Sequence, residues 1–159
     1  MHFPIIVIEK LDTPIEDWVL SLDYEDRCLL EHTDYYGDMY LPEDRKAVIE
    51  SDWLKNLFDG IATVNPNAET ITFLDEKTIC HTIREWFVNE AEHLSHMAKA
   101  GRVSAFDFRY AGEHWRDFFT LFYNCTESEY GQTSMDFIEN SVYLAGQTVR
   151  IGNIFDAHF

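Results

Sequence analysis

Carboxylates supply the one chemistry that this chain writes repeatedly. Between Asp12 and Asp52 there are thirteen of them against Arg27, Arg45 and Lys46, a local net charge of −10. Asp23, Glu25, Asp26, Glu31, Asp34 and Asp38 follow one another at short intervals, with Tyr35 and Tyr36 among them. Such a row can imitate the phosphates of a duplex, which carries about one charge per 1.7 Å of axis. The tyrosines would add rigid contact area at low entropic cost. The same row also serves as a solvated face that only keeps a protein in solution.

A second constellation lies in Glu90-Ala-Glu-His-Leu-Ser-His96. Glu90 and His93 form a Glu-x-x-His pair, a spacing that projects both side chains to one side of a helix and recurs in bundle metal sites. With Ile79 as origin and 100° per residue, the apolar stripe centres near 40°. Glu90 then falls inside the stripe, His93 at its edge, and His96 toward solvent. A carboxylate in an apolar face must be paired, protonated or bound to a cation. Arg84, Arg109 or a tyrosine hydroxyl could pair it, and His114 beside Glu113 could complete a site for a divalent transition metal. A second Glu-x-x-His is missing, and no D-x-[DN]-x-[DN]-G calcium loop is written.

Other nucleophile and cofactor motifs are absent: no G-x-S-x-G, no Walker loop and no dinucleotide-binding glycines. Cys80 and His81 are neighbours, which places them about 100° apart on a helix instead of facing each other. Cys28 reads as a small buried side chain. Three cysteines without a CxxC give neither a disulfide framework nor a zinc knuckle.

The elements that must position these residues follow from periodicity. Phe3–Glu9 is an apolar, β-branched strand. Thr13-Pro14-Ile15-Glu16 reads as a capping box with proline at the first helical position, opening a helix that buries Ile15, Trp18, Val19 and Leu22. From Asp23 to Leu41 no period survives. A helix follows Pro42 with Trp53, Leu54, Leu57 and Phe58 inward, and Gly60 ends it. Val64-Asn65-Pro66-Asn67 is a turn and Glu69–Leu74 a strand. Asp75–Ala100 is the longest helix, closed by Gly101. Phe106, Phe108 and Tyr110 alternate as in a half-buried strand, and residues 114–124 fit helix or strand equally. Ser134–Asn140 is a short helix. Val142–Ala145, Gly146-Gln147 and Thr148–Phe155 read as a terminal hairpin. Strands clustered late in the chain predict an α+β fold: one domain over residues 1–159, a mainly antiparallel sheet, and about three to four helices packed on one face.

Composition narrows the function. The 159 residues are 46% hydrophobic and 15% aromatic, enough for a core, with a net charge of −17. A magnitude of about 2–8 is ordinary for a small domain. No basic stripe offers itself to phosphates, and an anionic membrane repels the same charge. The opening apolar run is too short and lacks the basic flank of a signal peptide, and no stretch approaches the roughly 20 apolar residues of a span. A cytoplasmic protein is expected, with no cofactor. The first expectation is a non-enzymatic interaction protein whose acidic face, Asp23 to Asp38 with Tyr35 and Tyr36, binds a basic protein such as a nuclease. DNA-mimicking anti-restriction or anti-CRISPR inhibitors of phages, and immunity proteins, are the functional classes that share this property. The rival expectation is a small metal-dependent enzyme built on Glu90 and His93.

The deficit of lysine and arginine predicts no binding of DNA or RNA at physiological salt. A gel-shift or anisotropy titration with duplex and single strands checks this. A sub-micromolar, salt-sensitive complex would contradict it.

Overall fold

The first strand organises the molecule. β1 (His2–Lys10) is buried along nearly its whole length, as a central strand covered on both faces must be. In the computed structural model, which describes residues 2–23, 25–33, 35–102, 104, 120–126 and 129–158, β1 pairs antiparallel with the last strand and parallel with β5. The remaining elements are α1 (Arg27–His32), β2 (Tyr35–Met39), α2 (Pro42–Glu50), α3 (Asp52–Leu57), β3 (Ala62–Asn65), β4 (Thr70–Phe73) and α4 (Glu76–Lys99). After them come β5 (Leu121–Asn124), β6 (Tyr130–Thr133), α5 (Ser134–Asn140) and β7 (Thr148–His158). Among the described residues seven strands make one sheet in the order β3-β4-β7-β1-β5-β6, with β2 also paired to β7. Every pairing except β1–β5 is antiparallel. The chain is an α+β single domain. The strand read at Phe106–Tyr110 and the ambiguous residues 114–119 lie outside the described residues. No described helix is long and apolar enough to cross a membrane.

Alternation along the strands divides the core in two. Ile6, Ile8, Phe122, Val149, Ile151 and Ile154 point to one face, where they meet Ile49 of α2, Leu54 and Leu57 of α3, Ile79 of α4, and Phe137 and Ile138 of α5. Phe58, Phe73, Phe122 and Phe137 pack there edge to face, with Phe122 stacked on Phe137 at 4.3 Å. Four helices therefore cover one face, as periodicity predicts. The other face carries Phe3, Ile5, Val7, Leu121, Tyr123, Phe155 and Ala157, covered by Leu22 and by Leu29 of α1.

Several local expectations are corrected. The segment after Thr13 makes only a 3-10 turn over Ile15–Asp17, and Thr13 does not cap it. Helix propagation fails because tertiary partners claim the next backbone groups: Val19 N–H donates to Glu9 Oε1 at 3.1 Å, and Asn153 Nδ2 donates to Val19 O at 2.8 Å. The helix after Pro42 is two helices. Ser51 Oγ donates to Val48 O and accepts from Leu54 N–H, closing one and opening the next. Within Asp23–Leu41, α1 and β2 form despite the lost periodicity. Val64 and Asn65 belong to β3, not to the turn. The terminal hairpin is absent. Residues Ser141–Leu144 coil as a 3-10 extension of α5, and the chain then joins β4 instead, through Gly146 N–H to Leu74 O and Phe73 N–H to Gln147 O.

β7 contains an irregularity that locks α2 to the sheet. Ile6 faces Ile154 and Ile8 faces Ile151, so β7 uses one residue more than β1, a β-bulge. Gly152 is required there, because a Cβ would stand 2.8 Å from Glu9 Cγ. Arg45 reaches across from α2 and donates Nε to Gly152 O at 2.8 Å and Nη2 to Ile151 O. Its Nη1 and Nη2 also hold both carboxylate oxygens of Glu69 at 2.8 and 2.9 Å, and its guanidinium lies 5.5 Å from the Trp18 ring centroid. The Arg45 side chain is 13% exposed and Glu69 37%, so the backbone bonds count for more than the solvent-screened pair. Arg45→Met should cost about 2–4 kcal/mol, because it strands buried carbonyls and a carboxylate at once. Arg45→Lys should recover under half, since one ammonium cannot reproduce the planar fork. Urea unfolding of the three proteins measures both.

Candidate functional site

The acidic segment does not form one flat face. Asp23 and Glu25 are exposed ahead of α1, with Asp23 Oδ1 accepting the Glu25 N–H at 2.9 Å. Asp26 is half-buried and structural. Its Oδ1 caps α1 at Leu29 N–H, and its Oδ2 accepts the Gly131 N–H of β6 at 2.7 Å. Gly131 has no room for a Cβ, which would meet that carboxylate at 2.7 Å. Glu31 sits on α1, and Tyr35 and Tyr36 sit on β2 opposite His158 and Ala157. Asp34 lies outside the described residues. Asp38 is exposed on β2. From β6, where Asp26 is anchored, to β2 the sheet runs through β5, β1 and β7, four strand spacings or roughly 19 Å. The predicted partner residues thus divide into a group at α1 and a group at β2.

Charge is nevertheless exposed along the whole segment. Asp12, Glu16, Asp17, Asp23, Glu25, Asp38, Glu43, Asp44, Glu50 and Asp52 all face solvent. Of the segment's three basic residues, Arg45 is turned into the fold. Arg27 is exposed, and Lys46 lies 3.6 Å from Glu50; just beyond the segment Lys55 lies 3.3 Å from Asp52, both pairs on exposed surface.

The Glu90–His93 pair occupies α4 as the helical phase predicts. Ile83, Trp86, Glu90, Leu94 and Met97 are the half-buried line of the helix, and His93 and His96 are exposed. Glu90 is not sunk in a core, and among the described residues neither a hydrogen bond nor an ion pair reaches it. No third ligand joins it and His93 among the described residues, and His114 and Arg109 lie outside them. Beside this line an apolar groove of about 530 Å³ is lined by Cys80, Ile83, Phe87, Val88, Ala91 and Val142. Arg84 and Glu139 are its charged lining residues.

Two polar centres were not foreseen. The first is Glu9, only 3% exposed at the end of β1. Burial pushes its carboxyl above the ordinary 4.5, the Val19 N–H opposes this, and the Glu129 carboxylate adds to it. Arg150 stands directly opposite on β7, but its Nη2 turns to Leu11 O at 3.3 Å. Nearby, burial and then the Glu9 and Glu129 charges push the Cys125 thiol up to about 12, so Cys125 is no nucleophile at neutral pH.

The second centre is formed by the two strand ends. His2 and His158 are opposed on β1 and β7, and Asp156 is opposed to Pro4. The His2 Nδ1 lies 2.7 Å and the His158 Nε2 3.4 Å from Asp156 Oδ2. The imidazole centroids are 3.7 Å apart. An adjoining cleft of about 480 Å³ is lined by His2, Asp38, Tyr40, Asp44 and Asp156 among others. Burial, then Asp156, then Asp44 hold the Tyr40 hydroxyl above its ordinary range, which marks the cleft as electronegative. The sequence signal was Asp156-Ala-His158, whose spacing of two puts both side chains on one face of a strand. Set against protein-family models, curated proteins and solved structures, the chain matches none.

Glu9 makes a measurable contribution to pH dependence. A carboxyl raised by folding binds its proton more tightly in the native state, so stability falls as pH rises from the ordinary range through the raised value. Glu9→Gln keeps an acceptor for Val19 N–H and removes the titration. The variant should be at least as stable as the parent at pH 7, and the parent-minus-variant difference should grow more unfavourable to the parent between about pH 4.5 and 7. Denaturant unfolding across that range checks it. A less stable variant at pH 7 would contradict the assignment.

Proposed function

We propose that the protein is a non-enzymatic interaction protein whose acidic surface binds and blocks a basic face of another protein, as a DNA-mimicking anti-restriction or anti-CRISPR inhibitor or an immunity protein would. The observation that carries the reading is an asymmetry of charge. Ten carboxylates of the Asp12–Asp52 segment face solvent against two exposed basic residues, Arg27 and Lys46, while Arg45 is drawn inward to the β7 bulge and Glu69. So strong a local excess of one sign is what a basic partner surface would neutralise. The two groups of carboxylates, at α1 and around β2 and α2, are separated by a span comparable to a duplex width. Two-sided contact with a basic cleft fits that spacing better than a single flat patch.

Oppositely charged faces steer encounter within a Debye length of about 8–10 Å, so association should be fast and salt-dependent. With a partner recovered by affinity capture and mass spectrometry, two charge-reversed proteins separate function from solubility. Glu16, Asp17, Glu25 and Glu43 changed together to Lys should weaken binding by about 100-fold or more at low salt. Glu76, Glu85, Glu92 and Glu139, exposed on α4 and α5, should cost under about threefold when changed likewise. Asp26 is left untouched because it holds α1 to β6. Equal losses from the two sets, or affinity indifferent to salt, would make the acidic surface a solubility device alone.

A further inference from the structure

We infer that His2, Asp156 and His158 form a binding site for one divalent transition-metal ion, of which zinc is the type, with open coordination positions facing the cleft beneath α2. The three side chains offer two imidazole nitrogens and a carboxylate oxygen, all within 4.8 Å of one another. Donors around an ion with bonds of about 2.0–2.2 Å stand roughly 3–3.5 Å apart. The Asp156 oxygen already sits 2.7 Å from His2 Nδ1 and 3.4 Å from His158 Nε2. The His2 side chain is 66% exposed, so its rotation can supply the remaining adjustment.

Donor chemistry selects the ion. Calcium and magnesium take oxygen ligands, whereas imidazole with one carboxylate suits zinc and its first-row neighbours. Three protein ligands leave at least one position for water or an exogenous ligand, the arrangement of an open rather than a closed site. That position has somewhere to face. His2 and Asp156 both line the cleft whose other walls include Asp38, Tyr40 and Asp44. Asp38 and Asp44 add negative potential without being among the three donors, which favours a cation and disfavours an anionic ligand on it. The rings themselves support the reading: two imidazoles with centroids 3.7 Å apart converge on a single carboxylate oxygen. A cation at their focus would replace a crowded hydrogen-bonded contact by three coordinate bonds. The site also ties the first strand to the last, so loading it should stabilise the fold.

The test titrates the chelator-treated 159-residue protein with Zn²⁺ by calorimetry, with Co²⁺ as a spectroscopic probe. One equivalent should bind with a Kd of about 1 µM or tighter, and excess Zn²⁺ at about 100 times Kd should raise Tm by roughly 5–10 °C. Asp156→Asn, His158→Gln and His2→Gln should each weaken Zn²⁺ by about 10–100-fold or more. His93→Gln should change it under about twofold, which separates this site from the Glu90–His93 pair. Each apo variant is melted without metal, so that a loss of fold is distinguished from a loss of ligand, and the exposed His2 carries the test if the other two unfold. Bound Co²⁺ should show visible bands in the parent and not in His2→Gln. Absence of a 1:1 site tighter than about 100 µM would overturn the proposal. So would equal affinity for Ca²⁺ or Mg²⁺, or Zn²⁺ affinity that survives all three substitutions.

Discussion

A single extra residue in β7 fixes the relation between the parts of this molecule. Side chains alternate along a strand, so a one-residue insertion moves everything beyond it to the opposite face. Val149 and Ile151 face the four helices, and so does Ile154 beyond the bulge, while Phe155 and Ala157 turn to the α1 side. Both cores depend on that inversion. Arg45 donates to the Ile151 and Gly152 carbonyls at the bulge, and Asn153 donates its side-chain amide to Val19 O, so α2 and the segment around Val19 are joined to the same point. Gly152 lets Glu9 pass beneath. A helix, a loop, two strands and a buried carboxylate are thereby committed to one position in the sheet.

This commitment also redistributes charge. Carboxylates meet several fates in the fold. Asp26 and Asp75 satisfy backbone N–H groups at helix starts, and hydrogen bonds from the Thr78 hydroxyl and backbone hold the Asp75 carboxyl below its usual range. Glu69 is clamped by Arg45, and Glu9 is buried with one backbone donor. Ten carboxylates of the Asp12–Asp52 segment stay in water. Arg45 is drawn inside to the bulge together with Glu69, and Arg150 is engaged by the Leu11 carbonyl. Self-repulsion at −17 opposes compaction, and two cores of aromatic and β-branched side chains offset it.

Elements with strong local signals were legible. β1, α4 and α5 follow from apolar runs and helical spacing, and even the rotational phase of α4 is readable, with Glu90 on the inward line and His96 in water. Depth was not readable, because how far a helix face is enclosed depends on what packs over it. The failures share a cause. The Thr13 segment has a complete helix start, yet Glu9 and Asn153 take the backbone groups of Val19. The last strand has a ready turn at Gly146-Gln147, yet β4 takes its edge. In both places a distant partner outcompetes a local preference. β2 and β6 are short strands whose Gly37 and Gly131 look like breakers, although Gly131 is there to admit Asp26 and Leu29.

The histidine–aspartate centre shows why such a site escapes a linear reading. His2 and Asp156 are 154 residues apart, so no spacing rule connects them. The Asp156-Ala-His158 pair does predict a shared face, but which face depends on the parity of β7 relative to β1. In an unbulged strand, continuation from Val149 and Ile151 would send Asp156 and His158 to the α1 side, away from the face that His2 shares with Ile6 and Ile8. The bulge restores them to His2 and brings them under α2, where Asp44 and Asp38 close the cleft. Nothing local to those residues announces the bulge. Its signs are a glycine at 152, an asparagine at 153 and an arginine on a helix more than a hundred residues earlier. Chemistry assembled at a register shift is therefore written in the residues that hold the shift, at least as much as in the ligands themselves.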